Sequence, residues 1–221
     1  MNNILQAKAP LTFNSRFVSI AIIWLFHLSS MVGIYFGYFD WFIEKTPINL
    51  MLMGILLFFQ FPIDTKRKIY LVLLFFSVGM LAEWIGVHYG YIFGNYQYGS
   101  NLGPKLDGVP LLIGLNWVIL TMSTAAIASR FMKNNLGKII LGAILMVGLD
   151  IFIEQVATLL DYWTWEEGSA PFKNYVSWFI ISLLLHLSYN KLRIKGDFTF
   201  SIHLYAAQLI FFVFLYGFYK V

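Results

Sequence analysis

The sequence predicts an all-α integral membrane protein, a polytopic bundle of about seven transmembrane helices. Of its 221 residues, 59% are hydrophobic and only 12% are charged, about half the charged share of a soluble domain. A soluble protein of this length does not have enough interior to hide so much apolar surface. The apolar residues form long runs separated by short basic clusters, a pattern that is typical of membrane orientation.

Seven apolar runs are candidates for crossing a bilayer, which takes ~20 residues. The first is too long for the apolar core of a signal peptide, and no small-residue cleavage site follows it, so we interpret it as a retained helix. The second and the sixth are the shortest. In chain order the runs cover residues 17–38, 47–63, 69–90, 109–131, 139–160, 175–189 and 198–219.

Aromatic and basic residues at the ends of the runs predict how the bundle is oriented. Tyr35, Tyr38 and Trp41 follow the first run, and rings of this kind concentrate at the membrane surface. With the N-terminus in the cytoplasm and the C-terminus outside, eleven of the 15 basic residues lie inside, as the positive-inside rule expects. The inner ones are Lys8, Arg16, Lys66, Arg67, Lys68, Arg130, Lys133, Lys138, Lys191, Arg193 and Lys195. The outer ones are Lys45, Lys105, Lys173 and Lys220.

The composition also excludes several functional classes. Without Cys, the chain has no disulfide, iron–sulfur cluster or thiolate nucleophile. The basic residues do not form one face, so we expect no nucleic-acid partner. Linkers, low-complexity tracts and repeats are not evident, so we expect one transmembrane domain over residues 1–221, surrounded by lipid. Two long outer loops, 91–108 and 161–174, either anchor aromatic rings at the headgroups or cover a site.

Three acids, Glu83, Asp150 and Glu154, fall inside predicted spans. A carboxyl within a membrane is costly and is a functional candidate by default. Glu83 and Glu154 lie at similar depth, ~10 Å below the outer surface. Asp150 and Glu154 are four residues apart and share a helix face. Small residues on the same faces indicate that all three point into the bundle. In an apolar setting one carboxyl can stay protonated as an acid while another is ionised and acts as a base.

Two other interpretations of these acids remain open. One is a structural network, in which Asn116 and hydroxyl groups hold the carboxyls and only fix helix packing. The other is a metal site that includes His27, His88, His186 or His203. We do not expect a metal, because the sequence contains no HxxxH or ExxH pair of the kind that helical metal sites use.

Two blocks of sequence around the acids are more specific. The first begins at Glu83, continues with FG-x-Y-x-Y, LGPKL and GVP, and ends at Trp117. The second comprises DIFIE from residue 150, DYWTW from residue 161, and then Pro171, Asn174 and Trp178. These blocks resemble the carotenoid biosynthesis membrane-protein family that includes carotenoid 1,2-hydratases, such as the bisanhydrobacterioruberin and γ-carotene hydratases. They cover roughly the middle half of the chain.

The resemblance implies the addition of water to the terminal C1,C2 double bond of an acyclic carotenoid ψ-end. It implies a long apolar substrate similar to lycopene or γ-carotene, water as the second reactant, no cofactor, and a bacterial or archaeal cell membrane. The closest alternative is a membrane lycopene cyclase, which begins with the same protonation. A carotenoid- or lipid-binding protein without turnover is the third possibility. The sequence does not predict the oligomeric state.

Hydration of such an alkene assigns roles to the residues of the two blocks. Protonation produces a tertiary cation, which water then captures. We expect Glu83 or Asp150 to be the acid, and Glu154 to stabilise the cation and take a proton from water. Other residues are expected to bind the substrate or position the water, and the Trp rings add cation–π stabilisation. These are Tyr91, Asn95, Tyr96, Tyr98, Asn116, Trp117, Trp163, Trp165 and Asn174.

Overall fold

The computed structural model describes residues 14–219, and this part of the chain is mostly helical. Lys8 and Lys220, which the charge pattern assigned to opposite sides of the membrane, lie outside the described residues. The helices are α1 (Ser15–Tyr35), α2 (Phe39–Ile43), α3 (Thr46–Gln60), α4 (Lys66–Tyr89), α5 (Leu111–Phe131), α6 (Asn135–Val156), α7 (Phe172–Lys191) and α8 (Phe198–Tyr219).

Within residues 14–219, six helical segments are long and apolar enough to cross a membrane. Five are single helices, α1, α4, α5, α6 and α8, and the other joins α2 to α3 over Phe39–Gln60. The protein is therefore an integral membrane helical bundle. The sixth predicted run does form a helix, α7, but polar residues such as Asn174 and His186 interrupt its apolar surface. The seventh span and the orientation stay predictions.

Local signals set the ends of the helices that carry the acids. The side chains of Thr65 and Asn134 accept hydrogen bonds from the backbone N–H groups of Lys68 and Gly137, in the first turns of α4 and α6, as N-caps do. At its other end α4 stops at Gly90, whose φ of 63° is a left-handed conformation that Gly adopts without steric cost. Gly90 therefore turns the chain into the first long loop directly after the helix that carries Glu83.

Helix α5 is the centre of the bundle. It contacts α3, α4, α6, α7 and α8, and every residue from 117 to 128 is buried. A helix that is enclosed on all sides in this way is expected to carry apolar or small side chains on every face. Ala125, Ala126 and Ala128 fit this position because small side chains let neighbouring membrane helices approach closely.

Short strands that the sequence did not predict lie in the two long loops and directly after the first of them, at the start of the fourth predicted run. β1 (Tyr96–Tyr98) pairs antiparallel with β4 (Trp163–Trp165), and β2 (Lys105–Leu106) pairs with β3 (Val109–Pro110). In the first pair Tyr96 lies opposite Trp165, and Tyr98 lies opposite Trp163. These four aromatic residues are buried while the residues between them are exposed, the alternation expected of a half-buried strand. Alternation over three residues is too short to be recognised from sequence.

Further hydrogen bonds join the two loops. The Asp161 carboxylate accepts hydrogen bonds from the backbone N–H and the hydroxyl of Ser100, at 2.8 and 2.5 Å. The hydrogen bond from the Ser100 hydroxyl is the main reason that the pKa of Asp161 is lowered. The side chain of Asn101 donates to the backbone oxygen of Leu160 at 2.8 Å. Residues 91–108 and 161–174 thus form one unit, here called the loop cap.

Candidate active site

Close helix packing turns Glu83 into the interior. Gly79, four residues before it on α4, lies against the ring of Trp117, and an added Cβ would collide with that ring. Gly86, three residues after it, lies against Tyr96, where a Cβ would be 2.7 Å from the hydroxyl oxygen. Only glycine permits both approaches, and between them Glu83 is 3% exposed. The small-residue face of α4 therefore positions its acid.

Three donors converge on the carboxyl of Glu83. The hydroxyls of Tyr96 and Tyr98 donate to Oε2 at 2.5 and 2.8 Å, and the indole of Trp117 donates to Oε1 at 3.1 Å. Burial, together with the neighbouring Glu83 carboxyl, raises the pKa of both tyrosines well above the ordinary value. Both hydroxyls therefore remain protonated and act as donors to Glu83.

Glu154 on α6 also accepts hydrogen bonds from three donors. The indoles of Trp163 and Trp165, both on β4, donate to Oε2 at 3.0 and 2.8 Å. The side-chain amide of Asn174, at the start of α7, donates to Oε1 at 2.9 Å. The loop cap thus supplies donors to both glutamates, from β1 to Glu83 and from β4 to Glu154.

Asp150, one turn before Glu154, has far fewer partners. It is 1% exposed, and the amide of Asn174 reaches its Oδ2 at 3.4 Å, a long hydrogen bond. Its other oxygen, Oδ1, has no hydrogen-bond partner among residues 14–219. A buried polar atom without a partner is uncommon and calls for an explanation.

All three acids line one cavity of about 280 Å³. Around them, the wall is mainly aromatic and amide side chains from the loop cap, α5 and α7. The cavity then crosses the bundle toward α1, α3 and α8, where the wall is mostly apolar. Near the acids the lining residues include Phe93, Tyr96, Tyr98, Asn116, Trp163, Trp165, Asn174 and Trp178. On the far side they include Phe26, His27, Ser30, Ile48, Met53, Gln208 and Phe212.

A family model described as "Carotenoid biosynthesis protein" matches residues 46–220, most of the chain. The chain belongs to this family. The match confirms the resemblance seen in the two sequence blocks and supports a role in carotenoid biosynthesis. No curated protein and no solved structure matches the chain.

In this carotenoid biosynthesis protein, six of the nine predicted binding residues line the cavity. Tyr91, Asn95 and Trp117 are not among the lining residues of the described chain. Tyr91 is 74% exposed and stacks on Tyr89. Asn95 directly precedes β1 and is exposed, whereas the next residue, Tyr96, is buried, because neighbours along a strand point to opposite sides. Trp117 lies behind Glu83 and holds it rather than facing the open space.

The sequence-based site omitted several lining residues. Trp178 lines the cavity and stacks on Trp117 with ring centres 4.0 Å apart. Its place in the second sequence block was the available signal. His27 on α1 and Gln208 on α8 also line the cavity and are buried. Each of these two is a single polar residue on an apolar helix. The sequence does not indicate whether such a residue faces the bundle interior or the lipid.

The histidines of this protein lie at separate places. Among residues 14–219, no group of three or more His, Cys, Asp or Glu side chains is arranged to hold a metal ion. Each histidine instead contacts a different neighbour: His27 the backbone of Ile23, His88 the carboxylate of Asp107, His186 the hydroxyl of Thr124, and His203 the indole of Trp24.

Proposed function

We propose that the protein is a carotenoid 1,2-hydratase, which adds water to the terminal C1,C2 double bond of an acyclic ψ-end. The substrate is a long apolar carotenoid similar to lycopene or γ-carotene. The observation that carries the proposal is the meeting of three carboxyls from α4 and α6 at one cavity, with unequal sets of hydrogen-bond partners. Hydration needs such an inequality, because it requires an acid and a base in the same place.

Asp150 is the proton donor in this proposal. Glu83 and Glu154 each accept hydrogen bonds from three donors, an arrangement that suits an ionised carboxylate, which only accepts. Asp150 accepts one long bond from Asn174 and has an oxygen without a partner in the described chain. That set of contacts suits a neutral carboxylic acid, whose O–H is not engaged elsewhere.

The reaction then proceeds in two steps. Asp150 gives its proton to C2, and the π electrons of the C1,C2 bond form the new C–H bond. The tertiary cation left at C1 is stabilised by the carboxylates and by aromatic faces. Each aromatic face contributes ~2 kcal/mol when it is desolvated. Water, held by the amides of Asn116 and Asn174, attacks C1 and passes a proton to Glu154. Return of that proton to Asp150, one helical turn away, restores the site, and the net change is one added water.

The loop cap limits access of bulk water to the cation. Its paired strands place four aromatic side chains over the two glutamates, so that the water reaching the site is controlled by the cap rather than by free solvent. The same arrangement favours one transmembrane domain in which the cap covers the site.

The proposal is tested by expression in cells that accumulate lycopene. We expect a product heavier by one water, with oxygen that comes from isotopically labelled water. A product of unchanged mass would indicate a cyclase, and pigment that is retained but chemically unchanged would indicate a binding protein. Oxygen derived from O₂ would indicate a hydroxylase. Each of these three results would overturn the proposal.

We also propose seven spans with the N-terminus in the cytoplasm of a bacterial or archaeal cell and the cap outside. The 20 residues of α7 extend over ~30 Å, enough to cross the hydrocarbon core. Because the chain has no Cys, single cysteines can report the topology. A membrane-impermeant thiol reagent added to intact cells should label Ser100→Cys but not Lys191→Cys. The reverse labelling would refute the orientation, and labelling of both would refute the seventh span.

A further inference from the structure

The cavity that begins at the acids reaches the lipid-facing surface on the other side of the bundle. Its far wall includes Phe26 on α1 and Ile48 on α3, which are 38% and 55% exposed. Ser29 and Ser30 on α1 also line this part of the wall. Phe26 lies in the body of α1, where an exposed side chain of an integral membrane protein faces lipid. The cavity is therefore open sideways, between α1 and α3.

Polar side chains also line this part of the cavity, namely Lys45, Thr46 and Asn49 beside the two serines. The hydroxyls of Ser29 and Ser30 donate to the backbone oxygen of Phe26 at 3.1 and 2.7 Å. A hydroxyl that already donates a hydrogen bond to its own helix does not need a hydrogen-bond acceptor from a passing ligand. The side chains are also small, so they leave room that a larger residue would fill.

The opening lies at the depth of the acids. Ser30 is five residues from the end of α1 at Tyr35, and Glu83 is six residues from the end of α4 at Tyr89. At ~1.5 Å per residue both positions are ~8–9 Å from the same side of the bundle. That the two helix ends are on the same side follows from α3, which begins near the end of α1 and whose Thr46 accepts a hydrogen bond from Tyr162 of the loop cap.

The size of the cavity restricts what it holds. Its volume of about 280 Å³ is just below that of pockets that enclose a drug-sized ligand, ~300–1,000 Å³. An extended forty-carbon polyene is ~30 Å long, about the thickness of the hydrocarbon core. A cavity of this volume is too small for the whole molecule, so only one end group would enter it.

We propose that the gap between α1 and α3, lined by Phe26, Ser29, Ser30 and Ile48, is a lateral portal for one end of a long linear isoprenoid. The end group enters from the bilayer and lies across the bundle, while the remaining chain stays in lipid. The identity of the isoprenoid rests on the proposed function. Through this portal the protein acts on one end of the substrate at a time. A substrate with two acyclic ends must leave and re-enter with its other end first. A product modified at one end is therefore released.

The test uses two matched serine substitutions. Ser30→Trp fills the portal. Ser188→Trp is the control, because the Ser188 hydroxyl also donates to its own helix, at 3.0 Å to Leu184, and Ser188 on α7 is not among the cavity-lining residues that the structure describes. We expect Ser30→Trp to lower both lycopene turnover and lycopene retention by the purified protein about tenfold or more. Ser188→Trp should leave both unchanged. Unimpaired turnover and retention in Ser30→Trp would overturn the portal.

A second measurement tests the portal if the Ser30→Trp variant fails to fold. It does not depend on turnover. A photoreactive benzophenone amino acid at position 30 should form a covalent adduct with lycopene on irradiation, and the same group at position 188 should not. If the wild type hydrates lycopene but position 30 forms no adduct, the portal is wrong and the hydratase proposal stands. If lycopene is bound and cross-linked at position 30 but never converted, the hydratase proposal is wrong and the portal stands.

Discussion

Two groups of buried polar side chains lie between α6 and α7, and they differ in whether the titratable side chain at their centre, Asp150 or His186, has an unpaired atom. Near the loop cap, Asn174 contacts Asp150 and Glu154 beside the cavity, and one oxygen of Asp150 has no partner in the described chain. Three turns along α7, His186 is fully buried, with Nε2 2.9 Å from the Thr124 hydroxyl and Nδ1 2.7 Å from the Ser182 backbone oxygen. His186 is not among the cavity-lining residues of 14–219.

The comparison separates a structural polar cluster from a candidate reactive one. Asp150 and His186 are 1% and 0% exposed, so burial by itself does not distinguish them. Both ring nitrogens of His186 have partners, although the neighbouring Ser182 hydroxyl has none among residues 14–219, and pairing of this kind stabilises the fold. An unpaired atom at a cavity destabilises it, and such groups persist where function requires them. The two groups should therefore respond to substitution in opposite ways.

The largest effect is expected for Asp150→Asn. Loss of the proton donor should lower hydration by ~10²–10⁴-fold, while the near-isosteric amide leaves lycopene retention and the thermal unfolding midpoint close to those of the wild type. The measurement is product formed per molecule of purified protein. Glu166→Gln, which removes an exposed acid of the loop cap, is the control and should remain active. Full activity in Asp150→Asn would move the proton donor to another residue.

His186→Ala should show the opposite pattern. It leaves the Thr124 hydroxyl without its side-chain partner and opens a cavity, so the free energy of unfolding should fall by ~1–3 kcal/mol. Turnover per folded molecule should not change. Thermal unfolding in detergent, followed beside the hydration assay, checks both parts. A folded His186→Ala protein that has lost its activity would abolish the distinction between the two clusters.

A smaller effect is expected for Tyr98→Phe, which removes one of three donors to Glu83. A single hydrogen bond of this kind contributes ~1–1.5 kcal/mol, so hydration should fall by about tenfold. Because the ring remains, packing against Trp163 is preserved, and the midpoint of thermal unfolding should change little. An activity equal to that of the wild type would show that the hydrogen bonds to Glu83 do not bear on the chemistry.

The smallest effects are expected at Tyr91 and Asn95, which do not reach the cavity lining of the described chain. Tyr91→Ala and Asn95→Ala should each keep hydration within about twofold of the wild type, since exposed positions rarely change stability by more than ~0.5 kcal/mol. A loss as large as that of Tyr98→Phe would mean that the outer surface of the loop cap contacts the substrate.

Much of the fold was predictable because its signals are local in sequence. A membrane span is set by the length and composition of one run, so the apolar runs that contain Glu83 and Asp150 are recognisable without any partner. The three acids were likewise recognisable as functional candidates without any knowledge of their contacts, because an ionisable group in lipid is costly. The short α2 and the strands of the loop cap were missed, because three to five residues carry no measurable periodicity.

Sequence alone determined that this is a helical membrane protein of the carotenoid biosynthesis family with three acids in its spans, since hydrophobic length and motif identity need no knowledge of contacts. Only the tertiary structure decided which donors each acid receives, that Trp117 lies behind Glu83 while Trp178 lines the cavity, and that the cavity extends to Phe26 on α1 and Ile48 on α3. Hydrogen bonds and cavities depend on distances of a few ångströms between residues far apart in the chain. Those distances are set by helix packing, which no single run specifies.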